Sequence, residues 1–225
     1  MNENLIREFI GADDNKVKNF KKDCETPEGC AKKAYDDLRR NIRYVEYYGI
    51  GNMEEKKKDE YKDETEKLIA RCVKKMPAVP DRKVFDKWHK QTCLEIIGLA
   101  KKHNLKGAIH KNFEFTHGLA QKWLNMAIKN MIVMGLYKEE FKKVASVLHV
   151  PVDSIILKQA CELKIKLPRK GEAVKYGAFS KDATKSWSTW NYDDYIRFQD
   201  ALRDKVAKPM EWEFQAWNKE KNKNI

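Results

Sequence analysis

Apolar residues recur at helical spacing along most of this sequence, and almost no stretch shows the alternation that is typical of a β-strand. The segment 54–76 illustrates the pattern, because Tyr61, Leu68, Ile69 and Cys72 fall on one face of a helix. This spacing predicts an all-α fold. The predicted helices are 4–10, 30–48, 54–76, 82–103, 104–112, 119–134, 138–148, 155–163, 192–206 and a short last helix that begins at residue 209.

Several helix ends carry residues that favour a boundary. Asp81, Asp153 and Asn191 are placed as N-caps, and Gly135 follows the strongly apolar segment 119–134 as a C-cap. In segment 82–103 the apolar residues, Val84 and Leu94 among them, form mostly one stripe that we expect in the core. Between residues 164 and 190 the periodicity fades and basic residues dominate, which indicates a mobile basic loop.

The length of 225 residues is enough for a sizeable hydrophobic core. We expect residues 1–80 to form an N-terminal helical region that packs on a core of residues 81–225, the whole being one compact, monomeric unit. No run approaches the roughly 18 apolar residues that a membrane span requires, and the N-terminus lacks the pattern of a signal peptide. The five cysteines include no Cys-x-x-Cys pair, which predicts neither a disulfide framework nor a cluster site and fits a reducing cytoplasm.

The charge is strongly positive and unevenly distributed. The 46 Lys and Arg exceed the 34 Asp and Glu by 12, and nearly all of this excess follows residue 76. A surface of that sign attracts polyanions and supplies the non-specific part of nucleic-acid affinity. A Lys-rich surface without a nucleic-acid partner would give the same composition.

The residues 104–134 form a candidate helix-hairpin-helix, in which a short helix, a Gly-containing turn at 113–118 and an apolar helix follow one another. Lys122 stands four residues after Gly118, and the later segment Pro151-Val152-Asp153 ends 31 residues after this lysine, at Asp153. Over residues 104–157 the pattern resembles the signature of the helix-hairpin-helix DNA glycosylases, and it is most similar to that of the archaeal 8-oxoguanine DNA glycosylases.

This resemblance implies two helical lobes around a cleft, with Lys122 and Asp153 as the catalytic residues. It also implies a base pocket that contains Lys129, which lies two turns beyond Lys122, together with Glu213 and Trp217 near the C-terminus. The expected contacts to the DNA backbone are His117, Gly118, Ala120 and Gln121. The partner would be double-stranded or locally single-stranded DNA that contains a modified base, and we assign no metal and no cofactor.

The sequence departs from the family pattern at three places. Ala120 stands where the hairpin has its second glycine, and His117 stands where it has a proline. Glu213 is one methylene longer than the aspartate expected before the late tryptophan.

The chemistry of base excision explains these residue types. The nucleotide is flipped into a pocket, and a fixed carboxylate stabilises the positive charge that develops on the sugar as the base leaves. Burial of Lys122 near the positive end of its helix would lower its pKa, so that the amine attacks the sugar and forms a Schiff base, which permits strand scission. The backbone amides of the hairpin would bind a phosphate without reading the base sequence.

Alternatives remain open at this level. The same fold could excise hypermodified bases of phage DNA in antiviral defence, or it could be a DNA-binding module without catalysis. An exposed Lys122 far from Asp153 would favour the binding module. Arg82 and His89 match a loose spacing that is seen in some helical ribonucleases, and Asp153 alone would be interpreted as an N-cap.

Overall fold

The computed structural model describes residues 3–41, 55–103, 115–168, 176–178 and 185–222. Most of them are helical, which confirms the prediction of a mainly α-helical protein. The helices are α1 (Glu3–Ile10), α2 (Asp14–Asp23), α3 (Pro27–Asn41), α4 (Glu55–Lys74), α5 (Arg82–Lys102), α6 (His117–Met134), α7 (Lys138–Lys143), α8 (Ser154–Glu162), α9 (Tyr192–Arg203) and α10 (Pro209–Asn222), with a 3-10 helix at Trp187–Thr189. The predicted helix 104–112 lies outside the described residues, as does the end of the predicted helix 30–48.

The predicted caps of three helices are confirmed. The side chains of Asp81, Asp153 and Asn191 accept hydrogen bonds from backbone amides in the first turns of α5, α8 and α9. Gly135 ends α6 in the left-handed conformation, with φ 75°. The helix α6 begins at His117, two residues before its predicted start, because the Thr116 hydroxyl accepts a hydrogen bond from the Leu119 amide and caps it.

Part of the segment 164–190, for which the sequence predicts a mobile loop, has regular structure, whereas residues 169–175 and 179–184 lie outside the described residues. Within it, β1 (Leu167–Pro168) pairs antiparallel with β2 (Tyr176–Ala178). Strands of two and three residues are too short for an alternating pattern to stand out in a sequence, which is why this pair was predicted as loop. The helix α2 was also missed, since only Val17 and Phe20 on it are buried.

The helix α6 is the centre of the fold. All of its 18 residues except Ile132 are buried, and it contacts α1, α3, α4, α5, α9 and the 3-10 helix. A helix that is apolar on most sides has to be covered on most sides, and these elements cover it. Its buried polar residues therefore need partners inside the protein.

The core consists of two hydrophobic clusters. The larger contains residues of α1 to α7 together with Met210 and Phe214 of α10. The smaller contains Val150, Val152 and residues of α8, β1 and α9. The expectation that Val84 and Leu94 lie in the core is wrong, since they are 43% and 47% exposed. The buried face of α5 is instead the stripe that includes Phe85, His89, Thr92, Cys93, Ile96 and Ala100.

None of the helices in the described ranges combines the length and the apolar character that a membrane crossing would need.

Candidate functional site

Lys122 and Asp153 meet although they belong to different helices. Lys122 lies in the second turn of α6, and its ammonium donates a hydrogen bond to Asp153 Oδ2 over 2.7 Å. The other carboxylate oxygen, Oδ1, accepts the amides of Ile155 and Ile156 at 2.9 Å each. One carboxylate thus caps α8 and binds the lysine at the same time. The two interpretations of Asp153, as an N-cap and as the partner of Lys122, are compatible.

This pair is largely withdrawn from solvent. The side chain of Lys122 is 3% exposed and that of Asp153 is 13% exposed. Burial raises the pKa of Asp153, but the charge and hydrogen bond of Lys122, together with the Ile156 amide, outweigh this effect and hold that pKa below its ordinary value. Asp153 is therefore an anion at neutral pH, held beside the amine it would have to assist.

A second lysine–carboxylate pair lies two turns further along α6. Lys129 Nζ is 2.7 Å from Glu213 Oε2 of α10, and both side chains are 1% exposed. Burial raises the pKa of Glu213 and lowers that of Lys129, and in each case the partner's charge opposes the shift. Lys122 and Asp153 also act on the pKa values of this second pair, so the four charges form one coupled group.

Aromatic rings enclose the second pair. The ammonium of Lys129 lies 4.6 Å from the ring centre of Phe9, 4.7 Å from that of Phe214 and 5.5 Å from that of Trp217. These distances suit cation–π attraction. The structure thus brings together the three residues predicted for the base pocket, and it adds Phe9 from the N-terminal helix, which no sequence pattern indicated.

Two glutamines hold the segment that leads to Asp153. Gln121 of α6 accepts the Val152 amide at 3.2 Å and donates to the Val152 carbonyl at 3.3 Å. Gln199 of α9 makes the same two contacts with Val150, at 3.1 Å and 2.9 Å. Both glutamines are buried. They pair with the extended segment as a neighbouring strand would, and so they fix the position of Asp153 opposite Lys122.

The hairpin residues lie in surroundings that differ from an open phosphate site. His117 is 6% exposed, and Ala120 and Gln121 are fully buried. The Gly118 amide donates to the Trp190 carbonyl at 2.9 Å, and a Cβ at this position would lie 2.0 Å from the Trp187 carbonyl oxygen. The segment 187–190 covers the start of α6, so Gly118 serves close packing, and the expected backbone contacts of these four residues are not available to DNA in this arrangement.

A buried polar network that sequence analysis missed adjoins this site. His89 Nε2 lies 2.9 Å from Asn125 Oδ1 and 3.2 Å from the Tyr195 hydroxyl, which also contacts His149 Nδ1 at 2.9 Å. Beyond His149, Arg203 binds Asp86 through two hydrogen bonds of 2.7 Å and 2.9 Å. The available signal was the position of His89 and Asn125 on otherwise apolar helix faces.

The residues of the ribonuclease alternative are not brought together. Arg82 binds Asp204 at the surface over 2.7 Å, whereas His89 is fully buried against Asn125. The described residues do contain one group with the atoms to hold a metal ion, namely His89, Cys93 and His117, although no metal was predicted. No protein-family model, curated protein or solved structure matches the chain.

Proposed function

We propose that this protein is a DNA N-glycosylase with AP lyase activity, built on a helix-hairpin-helix fold with two helical lobes. The observation that carries the proposal is the contact between Lys122 Nζ and Asp153 Oδ2, at 2.7 Å in a site that excludes most solvent. An exposed lysine far from Asp153 would have favoured a binding module. A buried lysine that is paired with a carboxylate held by two backbone amides favours catalysis.

In the proposed reaction the target nucleotide flips out of the duplex and its sugar enters between Lys122 and Asp153. The base leaves with the electron pair of the N-glycosidic bond and takes a proton from the Lys122 ammonium. The free amine then bonds to C1′ of the sugar, and the product rearranges to a Schiff base. Asp153 stays anionic and stabilises the positive charge on the sugar. This electrostatic stabilisation is strongest in a site that is shielded from water.

The second pair is proposed to recognise the base. Lys129 and Glu213 offer a donor and an acceptor, and Trp217 offers a stacking surface beside them. Since both charges are buried and the ammonium lies against aromatic rings, an incoming base would have to replace each hydrogen bond that it breaks. Such a site rejects bases that lack the matching polar edge.

The substrate is proposed to be DNA that carries an oxidised base such as 8-oxoguanine. The net charge of +12 supports binding to the phosphate backbone. Hypermodified bases of phage DNA are the second candidate, because the proposed Lys129–Glu213 contact could equally bind a polar substituent. The protein is proposed to act as a monomer in the cytoplasm, and its five free cysteines suit a reducing compartment.

Borohydride trapping tests the proposal, because it reduces a Schiff base to a stable protein–DNA adduct. The oligonucleotides would carry 8-oxoguanine, uracil, 5-hydroxymethylcytosine or its glucosylated form, in duplex and single-stranded DNA. We expect an adduct and base release with one of these bases. Lys122→Gln should abolish the adduct. Asp153→Asn should slow its formation while it retains the cap of α8, since asparagine also caps helices.

Lys142→Gln is the matched control, because Lys142 is an exposed lysine that pairs with Glu139 on the surface. This variant should form the adduct at the native rate. Salt-sensitive DNA binding without an adduct or base release on any of these substrates would contradict the catalytic proposal and indicate a binding module. An adduct that persists in Lys122→Gln would assign the nucleophile elsewhere.

A further inference from the structure

Three side chains with metal-binding atoms converge near the start of α6. His89 and Cys93 lie four residues apart on α5, and this spacing places them on the same face of the helix. His117 is the first residue of α6 and faces them. One ligand atom from each of the three lies within 4.8 Å of the others, and all three residues are buried.

We propose that His89, Cys93 and His117 bind a zinc ion, whose fourth ligand is a water molecule. This site is separate from the Lys122–Asp153 pair, and the proposal does not depend on glycosylase activity. A thiolate with two imidazoles is a ligand set that zinc favours, and three protein ligands leave one position open.

The separation of two of the ligands already suits the ion. His89 Nδ1 lies 3.7 Å from Cys93 Sγ. Zinc bonds of about 2.3 Å to sulfur and about 2.0 Å to nitrogen, at a tetrahedral angle, place these two atoms about 3.5 Å apart. An ion could therefore enter between them without a change in the course of α5.

The unpaired nitrogen of His117 is an independent indication of a ligand. Its Nε2 is buried and has no hydrogen-bond partner among the described residues, and the residue as a whole is 6% exposed. A buried polar atom without a partner costs free energy, so such atoms are rare in folded proteins unless an ion or water satisfies them. A metal ion would supply the missing partner.

The hydrogen bonds of His89 orient it for coordination. Its Nε2 lies 2.9 Å from Asn125 Oδ1, an acceptor, which places the ring proton on Nε2 and leaves the lone pair of Nδ1 directed toward Cys93. Histidines that bind metals commonly donate their other nitrogen to an oxygen in this way.

The protonation states also suit a metal. Burial lowers the pKa of His117 to about 4 and lowers the pKa of His89 well below its ordinary value, so both imidazoles are neutral at pH 7. Burial raises the pKa of the Cys93 thiol, which would lose its proton to solvent when the metal binds.

His117 also borders a surface pocket. A pocket of about 340 Å³ reaches this residue from the surface and is lined by Leu94, Ile97, Phe115, Trp190 and Tyr192 among others. Residues of α5 line this pocket together with His117, so one of the three proposed ligands lies at its wall.

The test is a titration of the metal-stripped full-length protein with Co²⁺ and then Zn²⁺, without DNA. We expect one equivalent of Co²⁺ to produce a thiolate-to-cobalt charge-transfer band, and one equivalent of Zn²⁺ to abolish it. Cys93→Ser should abolish the band, and His117→Gln should weaken Co²⁺ binding by at least tenfold. Asn125→Ala should weaken it about 10- to 100-fold through loss of the hydrogen bond that orients His89.

Cys72→Ser, Cys161→Ser and the double variant Cys24→Ser/Cys30→Ser control for the other four thiols, and each should keep the band. Far-UV circular dichroism of each variant reports whether it is folded. Absence of the band in the folded native protein, or its persistence in Cys93→Ser, would overturn the proposal. Tighter binding of Cu⁺ than of Zn²⁺ would overturn the assignment of the metal. Because no step uses DNA, a failure here is distinguishable from a failure of the glycosylase proposal.

Discussion

The ammonium of Lys122 lies 2.7 Å from the carboxylate of Asp153, although 31 residues separate them in the sequence. Lys122 belongs to α6, whose apolar side chains fill the larger hydrophobic cluster, and Asp153 caps α8, which contributes to the smaller one. The pair therefore connects the two parts of the core. Its geometry depends on how these parts pack, so substitutions that disturb this packing should affect both stability and the proposed glycosylase activity.

The pair Lys129–Glu213 should stabilise the protein only as a pair. Lys129→Met leaves a buried carboxylate without its partner, and we expect a loss of about 3 to 5 kcal/mol in the free energy of unfolding. In the double variant Lys129→Met/Glu213→Leu no charge is left unpaired, so the loss should be clearly smaller than the sum of the two single losses. Urea unfolding of the four proteins measures this coupling.

Lys142→Met is the control for the loss of a lysine. Its partner Glu139 is 70% exposed, so this change should cost less than about 1 kcal/mol. If the loss of unfolding free energy in the double variant equals the sum of the losses in Lys129→Met and Glu213→Leu, the two buried residues do not depend on each other.

Gly118 and Gly98 should respond in opposite ways to alanine. A methyl group at Gly118 would collide with the Trp187 carbonyl and displace the segment 187–190, so Gly118→Ala should cost about 1 to 3 kcal/mol. Gly98 lies in α5, and among the described residues nothing packs within 4 Å of a Cβ added there, so Gly98→Ala should stabilise the protein by about 0.5 to 1 kcal/mol. Urea unfolding gives both values, and equal effects at the two positions would contradict this account of Gly118.

The fold class and several helix boundaries were accessible from the sequence because they depend on local signals. Asp81 and Asn191 are caps whose side chains bond within three residues, and such contacts can be inferred from neighbouring residues. The bounds of α5 follow from the same kind of signal. The exposure of Leu94 cannot be inferred from such local signals. The periodicity of a helix shows which side is apolar, but not how wide a part of that side the neighbouring helices will cover.

The candidate site was accessible only in part. Lys122, Asp153, Lys129 and Glu213 were selected through a resemblance, and the structure brings them together in two pairs. The convergence of His89, Cys93 and His117 was missed, because the first two are 24 or more residues from the third and only the packing of α5 on α6 makes them neighbours. Contacts between distant segments are not encoded in any local pattern.

Gln121 should matter for the proposed catalysis more than for the proposed DNA binding. Gln121→Met keeps the size of the side chain but leaves the Val152 amide and carbonyl without partners, which should cost about 1 to 3 kcal/mol in stability. Because Val152 precedes Asp153, we also expect slower adduct formation in the trapping assay with a nearly unchanged dissociation constant for DNA.

The control for this change is Gln91→Met, at an exposed glutamine of α5 whose side chain, within the described part of the chain, bonds to Glu95 of the same helix. It should leave both stability and trapping rate unchanged. A loss of DNA affinity as large as the loss of rate in Gln121→Met would restore the interpretation of Gln121 as a DNA contact.

Asp86 should stabilise the protein at neutral pH and lose this effect in acid. Burial raises the pKa of the Asp86 carboxyl. Hydrogen bonds and charge from His149 and Arg203 outweigh this effect and hold the pKa at about 2, below its ordinary value of 3.8. The unfolded chain therefore binds the proton first as the pH falls, and the stabilisation is lost between about pH 4 and pH 2. At pH 7 it amounts to about 2 kcal/mol.

Asp86→Asn should accordingly be less stable than the native protein at pH 7, and the difference should shrink as the pH falls from 4 to 2. Urea unfolding across this range provides the measurement. Asp204→Asn, which removes an exposed partner of Arg82, is the control and should show little difference at any pH. A constant difference between Asp86→Asn and the native protein over the whole range would contradict the assigned pKa.

The burial of α6 on nearly all sides also determines the order in which parts of this molecule can form and open. Its backbone amides can exchange with solvent deuterium only when the surrounding helices separate, so they should be among the slowest to exchange. Both buried lysines are carried by this helix and find their carboxylates on elements that follow it in the chain. A nascent or truncated chain that ends before residue 153 can hold neither pair, so the proposed chemistry is available only to the completely assembled molecule.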